Sequence, residues 1–174
     1  METKLRGRPI LVTGASGGIG AATVRSLTEE GAVVFAAGRK VDLLNKLSSE
    51  TGCNVLAFDL ESEDAVKSAL EELTFYGVVN CGGWGGEIAT PMDTDVAVFD
   101  KVIRINARGT ILVTKYAAKN MIDAGQGGSI VNVSSQASLV GLEGHISYAS
   151  SKGAVDAMTR VAALELGKYN IRVN

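Results

Sequence analysis

The sequence predicts an α/β fold in which a parallel β-sheet carries helices on both faces. Short apolar runs rich in β-branched residues alternate with longer stretches that have the apolar spacing of amphipathic helices. Glycine is the compositional outlier, with 21 residues against two prolines, and it clusters at residues 14–20, 82–86 and 125–128. Such clusters indicate turns that approach something closely, which favours an α/β enzyme over a linker.

The apolar runs give the predicted strands. They cover residues 10–13, 32–37, 54–58, 77–80 and 129–133, and residues 171–174 have the pattern of the first part of another strand. The first helix is predicted from Gly18 to Gly31, where Gly31 suits a left-handed stop. Ile19, Thr23 and Leu27 fall on one face of this helix.

Three further helical segments follow along the chain. One begins beyond Ser62, whose side chain can cap it, and Ala65, Ala69 and Leu73 supply its inward stripe. Residues 95–124 have a long helical pattern that breaks near Gly109, and residues 147–168 form the last helix. Because no internal repeat or linker interrupts the chain, residues 1–174 are predicted as a single domain.

Charge and cysteine content exclude several classes of function. The 17 basic and 19 acidic residues give a formal net charge of −2 without a basic stripe, so nucleic acid is not an expected partner. Two cysteines without metal-ligand spacing and a single histidine predict neither a metal site nor a disulfide framework. No apolar run approaches the roughly 18 residues of a membrane span, so we expect a cytoplasmic protein that does not cross a membrane.

A glycine-rich turn follows the first strand and opens the first helix. Its sequence is TGASGGIG, residues 13–20. Unpaired N–H groups at a helix N-terminus bind phosphate, and glycine lets the backbone approach it closely. The turn therefore predicts a dinucleotide pyrophosphate site, although a glycine-rich turn without a ligand is the alternative.

The end of the second strand bears on the choice of dinucleotide. Gly38, Arg39 and Lys40 stand where a nucleotide-binding fold often places an acid on the adenosine ribose. A guanidinium here can bind a 2′-phosphate that a carboxylate would repel, which favours NADP(H) over NAD(H). The alternative is a solvated basic pair in a turn.

Tyr148 and Lys152 lie four residues apart at the start of the last helix and therefore on one face of it. A phenol exchanges protons poorly at neutral pH, but a neighbouring ammonium favours its ionised form. Tyr148 could then exchange a proton with a substrate oxygen. Taken alone, such a pair is also common on an ordinary helix surface.

These motifs occur in a specific order with Asp59-Leu60, Asn80, Asn106 and the segment IVNVSS, residues 130–135. The ordered set resembles the short-chain dehydrogenase/reductase family across essentially the whole chain. Residues 129–136 and 152–174 are similar to its carbonyl reductase branch, which includes dicarbonyl (L-xylulose) reductases. The resemblance implies a Rossmann-type, doubly wound parallel sheet and NADP(H)-dependent reduction of a dicarbonyl, ketose or related ketone to a secondary alcohol.

The resemblance also implies a role for each matching residue. Asn106, Ser135, Tyr148 and Lys152 would be catalytic: Tyr148 as proton donor, Lys152 as the group that activates it and holds the nicotinamide ribose, Ser135 as partner of the reacting oxygen, and Asn106 in a water relay to Lys152. The cofactor pyrophosphate would contact the glycine-rich turn at Gly14, Ser16, Gly18, Ile19 and Gly20. At the adenosine end, the 2′-phosphate would contact Arg39, the adenine Asp59 and Leu60, and the ribose Asn80. The nicotinamide end would contact Tyr148 and Lys152.

The expected substrate is a small carbonyl compound or alcohol, bound by Ser135, Tyr148, Gln136 and His145. Leu142 in the same loop makes a purely sugar-like substrate less suitable. A 3-oxoacyl thioester reductase would share these motifs, and a nucleotide-binding regulator without turnover is the alternative from another class. The apolar helices 110–124 and 147–168, together with the resemblance, predict a homotetramer.

Three features depart from the family pattern. Asn80-Cys81-Gly82-Gly83 stands where the family usually has Asn-Asn-Ala-Gly, and the glycine-rich turn lacks the second basic residue of many NADP-preferring members. Asn174 falls inside the last predicted strand, so we expect the C-terminal part of the fold to be missing from this chain.

Overall fold

A parallel sheet is the centre of the fold in the computed structural model, which describes residues 4–174. Its strands are β1 (Pro9–Thr13), β2 (Val33–Gly38), β3 (Asn54–Ala57), β4 (Gly77–Asn80), β5 (Gly128–Asn132) and β6 (Ile171–Val173). They are hydrogen-bonded in the order β3-β2-β1-β4-β5-β6, and every pairing is parallel. This order, which reverses between β1 and β4, confirms the predicted doubly wound Rossmann-type sheet.

Helices cover both faces of the sheet. They are α1 (Gly18–Glu29), α2 (Val41–Thr51), α3 (Glu63–Leu70), α4 (Val96–Ile103), α5 (Gly109–Asp123) and α6 (Ile146–Leu166). A π-turn at Arg104–Arg108 joins α4 to α5, and 3₁₀ turns lie at Gln136–Ser138 and Gly167–Tyr169. No helix within residues 4–174 has the length and apolar character to cross a membrane.

Successive side chains of each strand point to opposite faces of the sheet, so the core has two layers. In β1, Leu11 packs into the layer under α3 and α5, whereas Ile10 and Val12 pack into the layer under α1 and α2. Both faces of the strand are therefore apolar, which explains why the strands of this sheet have continuous hydrophobic sequences. An edge-to-face contact between Phe35 and Phe75, with ring centroids 5.3 Å apart, adds to the first layer.

Two parts of the helical pattern differ from the sequence-based expectation. Helix α2 was not predicted, yet Leu44 and Leu47 are buried and the helix ends at Gly52 with a φ of 75°. In α1 the buried residues are Gly20 and Val24, one position along from the predicted face, and Ile19 is exposed. The face is shifted because α1 packs on the glycine-rich turn through its smallest residue, Gly20.

The other helices begin and break where the sequence pattern predicts, but the inward face of α3 is shifted by one position from the predicted Ala65, Ala69 and Leu73. Ser62 caps α3 by accepting a hydrogen bond from the Ala65 N–H at 3.2 Å. The predicted break near Gly109 corresponds to the π-turn directly before it. In α3, Val66 and Leu70 are buried, while Ala65, Ala69 and Leu73 pack against the core from its edge.

Parallel pairing brings the carboxyl ends of the strands to one edge of the sheet. The loops after β1, β2, β3 and β4 all leave from this edge, where the strand order reverses. Open α/β sheets bind ligands at such a reversal, so the fold places the glycine-rich turn and Arg39 beside one crevice.

Candidate functional site

A cleft of about 300 Å³ lies at this edge. Five residues predicted to bind a cofactor line it: Gly14, Ser16, Arg39, Asp59 and Leu60. The loop after β4 forms the opposite wall. The cleft therefore joins segments that are far apart in the sequence, as the prediction of one dinucleotide site requires.

The glycine-rich turn has the close approach that its sequence predicts. Gly14 has a φ of 64°, and a Cβ built on it would lie 2.6 Å from the Gly82 Cα. The N-cap of α1 is Gly17, which has no side chain to bond the first amides of the helix. No atom lies within 4 Å of a Cβ built on Gly18, so there is open space beside these amides. Free donors next to open space fit a pyrophosphate.

Charged groups of both signs surround the outer end of the cleft. Arg39 Nη1 lies 3.6 Å from Asp59 Oδ2 and 3.8 Å from Glu61 Oε2. Asp59 Oδ1 in turn accepts a hydrogen bond from the Glu61 N–H at 3.0 Å, which holds the carboxylate in place. Arg39 is more than half exposed, so these ion pairs are screened by solvent and weak. The guanidinium is available to an anionic ligand that can outcompete them.

Lys152 is the buried cation of the site. Only 5% of the residue is exposed, and its Nζ donates a hydrogen bond to the Val133 carbonyl oxygen at 2.6 Å. The same Nζ lies 5.8 Å from the centroid of the Tyr148 ring. Burial lowers the pKa of Lys152 because the ammonium loses hydration, while the carboxylate of Asp156, and Cys81 when it is ionised, act in the opposite direction.

Ser135 and Tyr148 belong to the two segments that meet at Lys152, the chain after β5 and helix α6. Ser135 lies two residues beyond Val133 and begins the 3₁₀ turn Gln136–Ser138, which packs against α6. Tyr148, one helical turn before Lys152, is partly exposed and is not packed into the interior. The Ser135 Oγ accepts a hydrogen bond from the Ala137 N–H at 3.2 Å, so its O–H can still donate to a ligand.

Asp156 supports the turn that carries Ser135. Burial alone would raise the pKa of Asp156, but hydrogen bonds from Ser134 and Ser138 and nearby cations lower it on balance. The Ser138 hydroxyl, which has one proton, can alternatively donate it to the Ser135 carbonyl oxygen at 2.7 Å. The ionised carboxylate thus holds the residues on both sides of Ser135.

Asn106 lies in the π-turn and is completely buried. Its Oδ1 accepts the Trp84 N–H at 2.7 Å, and its Nδ2 donates to the Trp84 carbonyl at 2.9 Å and to the Ser151 Oγ at 2.9 Å. A Cβ built on Gly83 would lie 3.3 Å from Asn106 Oδ1 and 3.8 Å from Lys152 Nζ. Asn106 therefore holds the loop after β4 against the buried ammonium.

Asn80 lies inside the sheet and is absent from the lining of the cleft. It stands between Thr13 on β1 and Asn132 on β5 in the strand register. Its Nδ2 donates to Asn132 Oδ1 at 2.8 Å, and its Oδ1 accepts from Thr13 Oγ1 at 3.5 Å. The structure thus engages this amide in cross-strand bonds; its predicted contact with the adenosine ribose stays a prediction.

Gln136 lies next to Ser135 in the chain, and His145 lies close to Tyr148. Gln136 is exposed at the start of the 3₁₀ turn, and His145 is the N-cap residue of α6, with its Nδ1 2.7 Å from the Glu143 carbonyl oxygen. Leu139 and Leu142 in the same segment are also exposed. The segment between Ser135 and Tyr148 therefore offers both polar and apolar groups to solvent.

Several residues of the site were not assigned from the sequence. Lys40, Phe58 and Cys81 line the cleft, and burial raises the pKa of the Cys81 thiol. Glu61 was also not singled out, although it contacts Arg39. Lys40 and Phe58 could have been assigned to the site because they follow the ends of β2 and β3, and neighbouring parallel strands end at the same edge of the sheet.

The comparison with known families agrees with this geometry. The short chain dehydrogenase family model matches residues 8–174. The chain therefore belongs to the short-chain dehydrogenase family, whose members are oxidoreductases that use nicotinamide cofactors.

Three curated relatives match the whole chain. L-xylulose reductase of Mesocricetus auratus is 39% identical, and the chain covers 72% of it. Carbonyl reductase [NADPH] 2 of Sus scrofa is 37% identical with the same coverage. The (+)-cis,cis-nepetalactol synthase of Nepeta racemosa is 36% identical, and 68% of it is covered.

A solved structure has the same architecture. NAD⁺-bound xylitol dehydrogenase superposes with a TM-score of 0.93 at 35% sequence identity, covering 99% of this chain and 70% of the dehydrogenase. The similar proteins thus include one that binds NAD⁺ and one whose name specifies NADPH.

We predict that Asn106→Ala loosens the loop after β4. The substitution leaves both backbone groups of Trp84 without their partners, which should lower the free energy of unfolding by about 1–3 kcal/mol. Urea denaturation and the emission of Trp84, the single tryptophan, measure the effect. Asn45→Ala on the exposed side of α2 is the matched control and should cost less than about 0.5 kcal/mol. Equal losses would contradict the role assigned to Asn106.

We also predict a pH-dependent cost of burying Lys152. Its pKa is lowered in the folded protein, so the unfolded chain binds this proton more readily, and stability rises with pH between the lowered value and 10.5. The free energy of unfolding of the wild type, minus that of Lys152→Met, should therefore increase as the pH rises from neutral through this window. Lys67→Met, at an exposed position of α3, should show no such trend. A pH-independent difference for Lys152→Met would mean that the ammonium is well hydrated.

Proposed function

We propose that the protein is an NADP(H)-dependent oxidoreductase that reduces a carbonyl group of a dicarbonyl, a ketose or a related ketone to a secondary alcohol. The observation that carries the proposal is the buried Lys152 ammonium beside the Tyr148 ring, next to the cleft with the glycine-rich turn. Burying a charge costs free energy unless partners compensate it, and buried groups with shifted pKa values concentrate at sites where they have a function. Proton exchange at Tyr148 supplies such a function.

The proposed roles follow from the positions of the side chains. When bound, the nicotinamide supplies the hydride that reduces the carbonyl carbon. Tyr148 gives its phenolic proton to the carbonyl oxygen, and it takes the proton back in the oxidation direction. Lys152 stabilises the negative charge that develops on the Tyr148 oxygen as its proton leaves, and Ser135 donates a hydrogen bond to the reacting oxygen.

Asn106 has two roles in the proposed scheme, as part of a water relay and as the residue that holds the loop after β4. The water relay from Asn106 to Lys152 remains part of the proposal, and the nearness of both side chains to Gly83 supports it. Its bonds to Trp84 also keep the loop wall in position beside Lys152. A fixed wall orients a bound ring and limits the entry of water.

The preference for NADP(H) rests on Arg39 and Lys40, which are exposed at the rim of the cleft. The chain directly after β2 carries two cations and no carboxylate, and the ion pairs of Arg39 with Asp59 and Glu61 are weak enough for a 2′-phosphate to replace them. Asp59 and Leu60 form the neighbouring wall, where we place the adenine. On the substrate side, exposed Gln136 and Leu139 suit a small ketone that has polar and apolar parts.

We further propose a cytoplasmic homotetramer. Helices α5 and α6 carry exposed apolar side chains that a partner subunit could cover, among them Ile111, Val161 and Leu164. A shallow groove between the two helices adds Ala118 and Ile122 to this surface.

Tyr148→Phe tests the proposed chemistry directly. The variant lacks only the phenolic oxygen, so NADPH oxidation by diketones should fall by at least about 100-fold while cofactor binding stays nearly unchanged. Tyr169→Phe removes the same atom from the turn after α6 and should keep full activity. Steady-state rates and NADPH titration measure both properties. Retained activity in Tyr148→Phe would remove this residue from the mechanism.

Arg39→Asp tests the proposed cofactor. Replacing a cation by a carboxylate at the 2′-phosphate position should shift the kcat/KM ratio from NADPH towards NADH by about 10-fold or more. Arg25→Asp makes the same charge change at an ion pair with Glu50 outside the cleft, and it should leave the ratio unchanged. If both variants keep the wild-type ratio, Arg39 does not bind the phosphate.

A further inference from the structure

We infer that Glu61 sets how strongly the protein distinguishes cofactors with a 2′-phosphate from those without one. This inference rests on the proposed use of NADP(H). Glu61 contacts the Arg39 guanidinium, and its negative charge therefore competes with the phosphate for the same cation. Glu61 is thus a specificity-determining residue that weakens the preference conferred by Arg39.

Glu61 lies between two arginines. Its Oε2 is 3.8 Å from Arg39 Nη1, and its Oε1 is 3.5 Å from Arg104 Nε. Arg104 directly precedes Ile105, which lines the cleft. One carboxylate thus engages two cations, of which Arg39 lines the cleft where the 2′-phosphate is expected.

The backbone fixes Glu61 at this position. Arg108 Nη1 donates to the Glu61 carbonyl oxygen at 2.9 Å, and the Glu61 N–H donates to Asp59 Oδ1 at 3.0 Å. The Glu61 side chain is only 25% exposed, less than half the value for Arg39. The Glu61 backbone is thus held beside Arg39, and its carboxylate is screened less than a freely exposed one.

The charge of Glu61 weakens the binding of a 2′-phosphate at Arg39. A 2′-phosphate that binds Arg39 must displace a carboxylate or accept its repulsion. Replacing Glu61 by glutamine removes one of the two carboxylates paired with Arg39, leaving Asp59 at 3.6 Å, and releases Arg104 from its ion pair. A nucleotide without the 2′-phosphate places no charge at this position, so its affinity should barely change.

The test compares two small probes on Glu61→Gln and the wild type. Adenosine 2′,5′-bisphosphate and adenosine 5′-monophosphate are titrated by calorimetry, and the ratio of their dissociation constants is recorded. Since both probes meet the same sample, a partial loss of folded protein does not change the ratio. We expect about a two- to five-fold gain in discrimination, which shrinks as salt is raised to about 0.5 M.

Glu63→Gln is the matched control. Glu63 pairs with Arg108 at 3.2 Å and with Lys115 at 3.0 Å and lies two residues along the chain. The substitution makes the same change in net charge but leaves the Glu61 ion pairs with Arg39 and Arg104 in place. An unchanged ratio in this control together with a raised ratio in Glu61→Gln supports the inference.

The remaining outcomes overturn it. Equal gains in both variants would show an effect of net charge alone, and a lower ratio in Glu61→Gln would show that Glu61 holds Arg39 ready for the phosphate. An unchanged ratio in Glu61→Gln, with a reduced ratio in Arg39→Asp, rejects the role of Glu61 but keeps the proposed NADP(H) site. If the wild type and Arg39→Asp both fail to distinguish the probes, the proposed cofactor preference fails as well.

Discussion

The burial of the Lys152 ammonium is the constraint on which the site depends. Taking a charge out of water is expensive, and the fold compensates with the Val133 carbonyl at the end of β5 and the face of the Tyr148 ring. Val133 also fixes where Ser135 begins its turn, two residues later. One hydrogen bond therefore links helix α6 to the chain that leads from β5 to Ser135.

The cleft beside Lys152 is a consequence of the strand topology. Because all six strands are parallel, the glycine-rich turn, Arg39 and the loop after β4 meet at one edge without any need for proximity in sequence. The π-turn extends this arrangement, since it places Asn106 where it can hold Trp84. Gly83 connects the cleft with the buried ammonium, because it lines the cleft and a Cβ built on it would lie 3.8 Å from Lys152 Nζ.

Strand positions, sheet type and most helices could be predicted because apolar periodicity and glycine placement are local signals. Helix α2 was missed because its N-cap is Lys40, without a side-chain capping bond, and only Leu44 and Leu47 are buried in it. The interior bonds of Asn80 depend on the register of three strands, which no local pattern reveals. The contact between Glu61 and Arg39 likewise depends on how the ends of β2 and β3 meet, so it needed coordinates.

A crystal structure of the protein with bound NADP⁺ is the most direct test of the account. We expect the nicotinamide ribose within hydrogen-bond distance of Lys152 Nζ, with Tyr148 Oη and Ser135 Oγ on the same side of the nicotinamide ring. We also expect the pyrophosphate at the first turn of α1. A nicotinamide directed away from Lys152, or a Tyr148 hydroxyl turned from the ring, would contradict the catalytic assignment.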